Sequence, residues 1–361
     1  MKTVHIIGSK TLGGAERFFL RLVSALATHG LEVTAIVRKG SEVAKAVRDV
    51  VPAVELPLRT VWDPLSRMEI SREIKRIRPE VVQTYMGRAT RLTRLERGRG
   101  PVHIARLGGY YKLAGYRHAH AWIVNTRGLG DYLIENGFPA DRIHLIGNFI
   151  HIPRPKPKDE IDSIRPSLGI PEDAVVLMTA GRFIEVKGHA GLLEAFSLIP
   201  QRIEGRRPWL LILGDGPLGP SLKAQARALG IDDRTVWAGW QTEPEPFFHA
   251  ADLVVFPSHE QETFGNVILE AWAAGKPLVT TCFRGAREIT RHGEDAWQVP
   301  CRDPKALARG IVKVLEDPTL AARIANRGSE KVREEFSREA IVRQYVKLYE
   351  RLMSAPGEKD L

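Results

Sequence analysis

Short apolar runs alternate with longer amphipathic stretches along most of the 361 residues. In the first part, VHIIG (4–8), EVTAIV (32–37), AVEL (53–56), EVVQTY (80–85), VHIARL (102–107), AWIVNT (121–126) and RIHLIG (142–147) read as strands. Apolar positions at helical spacing fall between them, over 15–29, from Ser41 onward and over 65–77. This βαβα rhythm predicts a parallel sheet covered by helices on both faces.

Residues 151–172 interrupt the rhythm with five prolines and mixed charges, and predict a linker. The alternation then resumes with AVVLMTAG (174–181), WLLILG (209–214), TVWAG (235–239), DLVVFP (252–257) and PLVTT (277–281) as strands. Helical patterns cover 188–199, 220–229, the segment after Phe264, and the chain from Pro304 onward. The fold class expected is α/β, with two doubly wound Rossmann-like domains, 1–150 and 173–336. A last helix over 337–361 carries Ile341, Tyr345, Leu348 and Leu352 at i, i+4, i+7 and i+11. That stripe packs either on its own domain or back on the first.

Composition is ordinary for a globular chain, with 43% hydrophobic and 27% charged residues. No apolar run reaches membrane-spanning length. MKTVHIIG enters a strand directly, so no signal peptide is expected. Two cysteines, Cys282 and Cys301, are too few for a disulfide framework and suit a reducing cytoplasm. The net charge of +10 is unevenly spread: residues 1–150 hold 24 Lys+Arg against 13 Asp+Glu. Within them, RATRLTRLERGRG places Arg88, Arg91, Arg94 and Arg97 at threefold spacing, along one side of a helix if the stretch is helical. The pattern is either a solvated basic face or a surface for anionic headgroups or a phosphorylated acceptor. Nucleic acid is the weaker reading, because no recognition motif accompanies the arginines.

In doubly wound sheets, ligands bind beyond the carboxyl ends of the strands. After the first strand, Gly13 and Gly14 precede a helix, either for close approach of a ligand or simply for a tight turn. After the first strand of the second domain, GRFIEVKGH holds Arg182 and Lys187, two cations that a loop can fold toward one diphosphate. LILGDGPLG contains a formal G-x-G-x-x-G at Gly214, Gly216 and Gly219. Its two prolines and its position favour a close backbone turn over a dinucleotide fingerprint.

HEQETFGNVILEA (259–271) brackets a helix start with Glu262 and Glu270. Amides of Asn266 and Val267 at that start can hold a phosphate. Carboxylates on either side can each accept from a vicinal diol, so the pair suits two sugars flanking a diphosphate. The plainer alternative is a glutamate complementing the helix dipole beside an exposed partner.

Together GGAERF, GRFIEVKGH, LILGDGPL, VWAGW, ADLVVFPS and the E-x7-E block resemble the retaining GT-B glycosyltransferases of glycosyltransferase family four over nearly the whole chain. The resemblance implies two Rossmann-like domains facing a cleft. It also implies that Arg182 and Lys187 bind the donor diphosphate, that Glu270 holds the donor ribose, and that Glu262 contacts the transferred sugar. Phe264, Gly265, Asn266 and Val267 would present backbone amides, Gly14 would approach the phosphate, and Gly214 and Gly239 would line the donor side. Many relatives carry a first-domain histidine near the reacting sugar. Here ARLGGYYKLAGYR has Gly108 and Gly109 instead, with Tyr110, Tyr111 and Lys112 available to the acceptor side. His118 and His120 form H-x-H without a visible third ligand, so no metal site is expected.

The reading is a retaining, metal-independent hexosyltransferase with no cofactor. Its donor would be a UDP- or GDP-linked sugar, and its acceptor an anionic or lipid-linked glycan of lipopolysaccharide or surface-polysaccharide type. It would lie in the cytoplasm, peripheral on the inner face of the membrane. A sugar-nucleotide epimerase or hydrolase on the same fold, or a basic nucleic-acid-binding protein, are the rival readings.

Overall fold

The structure, a computed structural model, describes residues 1–150, 152 and 158–354. The chain divides into two units, Met1–Phe149 with Arg338–Leu361, and Ile150–Ser337.

Unit 1 runs β1 (Lys2–Ile7), α1 (Gly14–Thr28), β2 (Glu32–Arg38), α2 (Glu42–Val47), β3 (Ala53–Leu56), α3 (Pro64–Ile77), β4 (Val81–Tyr85), α4 (Met86–Leu92), β5 (Val102–Leu107), β6 (Ala121–Val124), α5 (Arg127–Glu135) and β7 (Ile143–Leu145). Its seven strands are parallel in the order β3-β2-β1-β4-β5-β6-β7. Alternation along β1 sends Val4 and Ile6 to one face, with Ile70 and Ile74 of α3. Ile7 goes to the other face, with Phe18, Phe19 and Leu22 of α1.

Unit 2 runs α6 (Lys158–Asp162), α7 (Ile164–Ser167), β8 (Val175–Ala180), α8 (His189–Ser197), β9 (Pro208–Leu213), α9 (Gly219–Ala228), β10 (Thr235–Gly239), α10 (Glu245–Ala250), β11 (Leu253–Phe256), α11 (Asn266–Ala273), β12 (Leu278–Thr281), α12 (Arg284–Ile289), β13 (Trp297–Val299), α13 (Pro304–Leu315) and α14 (Pro318–Glu335). Its parallel order is β10-β9-β8-β11-β12-β13. Asp303 and Asp317 cap α13 and α14, each followed by proline at the first helical position, where its missing N–H costs nothing.

The last helix, α15 (Arg338–Ser354), belongs to unit 1. Ile341, Tyr345, Leu348 and Tyr349 are buried in the same core as Phe18 and Phe19, with Leu352 packed at its edge. A polar network fixes the seat. The Arg106 guanidinium donates to Tyr345 Oη (2.9 Å) and Asn148 Oδ1 (2.6 Å), and Tyr349 Oη donates to Gln83 Oε1 (2.6 Å). Beside it, burial pushes the His5 pKa down to about 3, so the ring is neutral.

Two expectations change. Residues 158–172, read as linker, are built into unit 2. Arg165 donates to Asp252 Oδ2 (2.9 Å) and to the Ala250 carbonyl (2.8 Å), and Ile170 is buried. Pro166 sits within the single turn of α7, where a proline breaks no ladder bond. Residues 151 and 153–157 of the expected linker lie outside the described residues. The arginine series does not share one helix, because α4 ends at Leu92 and Thr93 is extended. Arg88 turns inward to the Gly8 carbonyl at 2.9 Å, while Arg94 and Arg97 lie beyond the helix, exposed.

Candidate functional site

In unit 2 the strand order reverses between β8 and β11, so the loops leaving their carboxyl ends diverge to opposite sides and leave a crevice. Backbone bonds tie these loops together. Phe183 N donates to Asp215 O (2.9 Å) after β9, Gly214 N to Gly239 O (2.8 Å) after β10, and His259 N to Val186 O (2.8 Å). Gly188 makes the β8–β11 approach possible. Its φ is +67°, and a Cβ there would collide with the Pro257 carbonyl.

Within this frame the Lys187 ammonium donates to Glu262 Oε2 at 2.6 Å, both side chains largely buried. The ammonium also lies 5.3 Å from the centre of the Phe256 ring. Ser258, fully buried, reaches the same carboxylate oxygen at 3.5 Å, and its carbonyl accepts from Thr281 Oγ1. Arg182 is exposed and makes no ion pair among the described residues.

Gly265 (φ +80°) starts α11, and no side chain caps the helix. A Cβ at this position would stand 2.7 Å from Phe256 and 2.9 Å from Phe283, two rings packed edge to face. Glycine therefore lets the amide end of α11 sit directly against the β11 loop. Phe264 is buried, Asn266 and Glu270 are half-buried, and Val267 is buried on the first turn. Glu262 and Glu270 thus flank one helix start that carries positive potential.

Gly13 and Gly14 belong to unit 1. Gly13 N donates to Glu16 Oε2 at 2.9 Å in a capping box, which commits that amide within its own turn, while Gly14 is exposed. Tyr110 packs edge to face on Tyr132, Tyr111 stacks on Tyr116, and Lys112 is exposed. His118 Nε2 meets the carbonyls of Thr90 (2.8 Å) and Thr93 (2.7 Å), and His120 Nε2 meets that of Leu95 (3.1 Å). Among the described residues no three His, Cys, Asp or Glu side chains gather as a metal site. No helix among them is long and apolar enough to cross a membrane.

Two residues escaped the sequence reading. Ser258 looks like an ordinary strand-end serine until the fold sets it under Glu262. His189, the first residue of α8, is buried with both ring nitrogens unpartnered. Burial, and after it the charge of Lys187, pushes its pKa down to about 4.

Two parallel Rossmann-like sheets, one in each unit, are the architecture of the GT-B class. Residues 12–154 match the family described as Glycosyltransferase Family 4, and residues 160–331 match Glycosyl transferases group 1. The chain is 36% identical to the lipopolysaccharide core biosynthesis glycosyltransferase LpsE of Rhizobium meliloti, over 96% of this chain and 98% of the relative. A glycosyltransferase from Rickettsia africae superposes with a TM-score of 0.86 at 18% identity, covering 98% of this chain and 99% of that one. Anabaena HepE, solved in complex with UDP and glucose, superposes with a TM-score of 0.83 at 18% identity, covering 97% and 100%. The chain belongs to glycosyltransferase family 4.

Proposed function

We propose that this glycosyltransferase moves a hexose from a nucleotide-diphosphosugar, with retention of anomeric configuration, onto an anionic or lipid-linked glycan. LpsE, similar over nearly its whole length, bears a lipopolysaccharide core name, which supports an acceptor of that kind at the inner face of the cytoplasmic membrane. HepE holds UDP and glucose in a related fold, which supports a uridine diphosphate donor.

The observation that carries the reading is the Lys187–Glu262 pair beside the glycine-capped start of α11. As the bond between the anomeric carbon and the β-phosphate oxygen breaks, charge grows on the diphosphate. Lys187, Arg182 and the first amides of α11 stabilise it by fixed electrostatics, without a metal or other cofactor. Glu270 accepts from the ribose diol and Glu262 from hydroxyls of the departing sugar. The acceptor hydroxyl attacks from the face the diphosphate leaves, and its proton passes to the departing phosphate oxygen.

Calorimetry with UDP-hexoses, paired with transfer assays, tests this. Arg182→Ala, Lys187→Ala and Glu270→Ala should each weaken donor binding about tenfold or more. Normal donor affinity and turnover in folded Lys187→Ala protein would overturn the diphosphate assignment.

A further inference from the structure

Eight large apolar side chains are exposed among the described residues, and three of them, Trp62, Leu65 and Met68, fall within seven positions. Their exposures are 73%, 59% and 61%. Helix α3 does not need them for packing. It buries Ser66, Ile70 and Ile74, and presents Leu65, Met68 and Arg72 to solvent at i, i+3 and i+7. Asp63 caps the helix, accepting from Leu65 N (3.1 Å) and Ser66 Oγ (2.7 Å), and so fixes Trp62 at its entrance.

Three arginines frame this patch. The Arg91 guanidinium lies over the Trp62 ring, 4.8 Å from its centre. Arg94 stands close enough to Arg67 and Arg91 that, after burial, their charges depress its pKa further. None of the three makes an ion pair among the described residues; Asp63 is engaged in the α3 cap, and Glu69, next to Met68, is half-buried with its Oε2 turned out of solvent. Three neighbouring cations without an ion-pair partner favour an anionic surface. The combination is an exposed Trp, Leu and Met with three arginines close by. Trp prefers the headgroup level of a bilayer, and arginines add attraction to anionic lipid. Leu65 and Met68 offer nothing to the bases or phosphates of a nucleic acid.

We propose that the entrance to α3 docks unit 1 on an anionic bilayer, with Trp62, Leu65 and Met68 entering the headgroup–acyl boundary and Arg67, Arg91 and Arg94 at the phosphate level. This deepens the reading of a membrane-borne acceptor and rests on it. It also moves the contact from the arginine series 88–97 as a whole to a mixed apolar and basic surface, since Arg88 is turned inward.

The full chain is incubated with vesicles of phosphatidylcholine containing about 30% phosphatidylglycerol, and partition is read by cosedimentation. Replacing Trp62, Leu65 and Met68 together by Gln should lower partition about tenfold or more. Replacing Arg67, Arg91 and Arg94 together by Gln should lower it roughly a hundredfold, about fivefold per arginine. Lipids brominated in the acyl chain should quench a fluorescence component that Trp62→Phe removes. Equal partition of the apolar triple variant, no Trp62 quenching, or tighter binding of single-stranded RNA than of these vesicles would each overturn the proposal. UDP-hexose calorimetry on the same proteins separates the two readings. Donor binding without vesicle binding defeats the docking surface alone, and vesicle binding without donor binding defeats the transfer assignment alone.

Discussion

Lys187 Nζ and Glu262 Oε2 stand 2.6 Å apart although 75 residues separate them in sequence. The cation assigned to the diphosphate is therefore neutralised by the carboxylate assigned to the sugar, and a diphosphate must compete for it. Glu262→Gln should then tighten UDP binding about fivefold, the equivalent of about 1 kcal/mol net for the pair, while transfer falls. Calorimetry with UDP and a transfer assay would show the two moving in opposite directions. Weaker UDP binding in Glu262→Gln would mean that the carboxylate does not hold Lys187 back.

Gly265 has no room for a side chain. An alanine there must accept a φ of +80° and push a methyl group into Phe256 and Phe283. Strain and overpacking together should cost about 2–4 kcal/mol. Chemical denaturation of Gly265→Ala would measure it, and a loss below the uncertainty of that method would show that the loop relaxes freely.

His189 gives unit 2 a dependence on acid. Its pKa of about 4 lies below the unfolded value of about 6.5, so the unfolded chain binds more protons between those limits. The stability this represents is complete above pH 6.5 and is lost as pH falls toward 4. At pH 5 about 2 kcal/mol should be gone. Since neither ring nitrogen has a partner, His189→Leu leaves nothing unsatisfied and should flatten the melting profile between pH 7.5 and 5. An unchanged profile would assign the acid sensitivity to other groups.

Removing α15 should be severe. Six of its residues, Ala340, Ile341, Val342, Tyr345, Leu348 and Tyr349, are buried. The larger ones contribute about 1.5–3 kcal/mol each, a total comparable with the whole stability of a domain. A chain stopped after Ser337 should lose the cooperative unfolding of unit 1 by calorimetry and circular dichroism. A milder test is Tyr345→Phe, which takes a partner from the buried Arg106 and should cost about 1–3 kcal/mol.

Local chemistry made much of this molecule legible. TVWAG at 235–239 is a strand because β-branched and aromatic residues sit between turn formers, and Asp303-Pro304 marks a helix start through its own cap. What stayed hidden depends on partners distant in sequence. Arg165 fastens 158–172 to unit 2 through Asp252, 87 positions away, so a proline-rich stretch that reads as linker is structured. Arg88 reaches a carbonyl 80 positions away, which no spacing rule reveals. Lys187 and Glu262 each stand out in their own loops, but their pairing across 75 positions is visible only in the fold.

The chain leaves unit 1 at Phe149 and returns to it at Arg338. During vectorial synthesis the seat of Tyr345 and Tyr349 must stay open while residues 150–337 are translated, roughly 10–40 s at ordinary ribosomal speeds. The second unit can mature while the interior of the first still lacks its last helix.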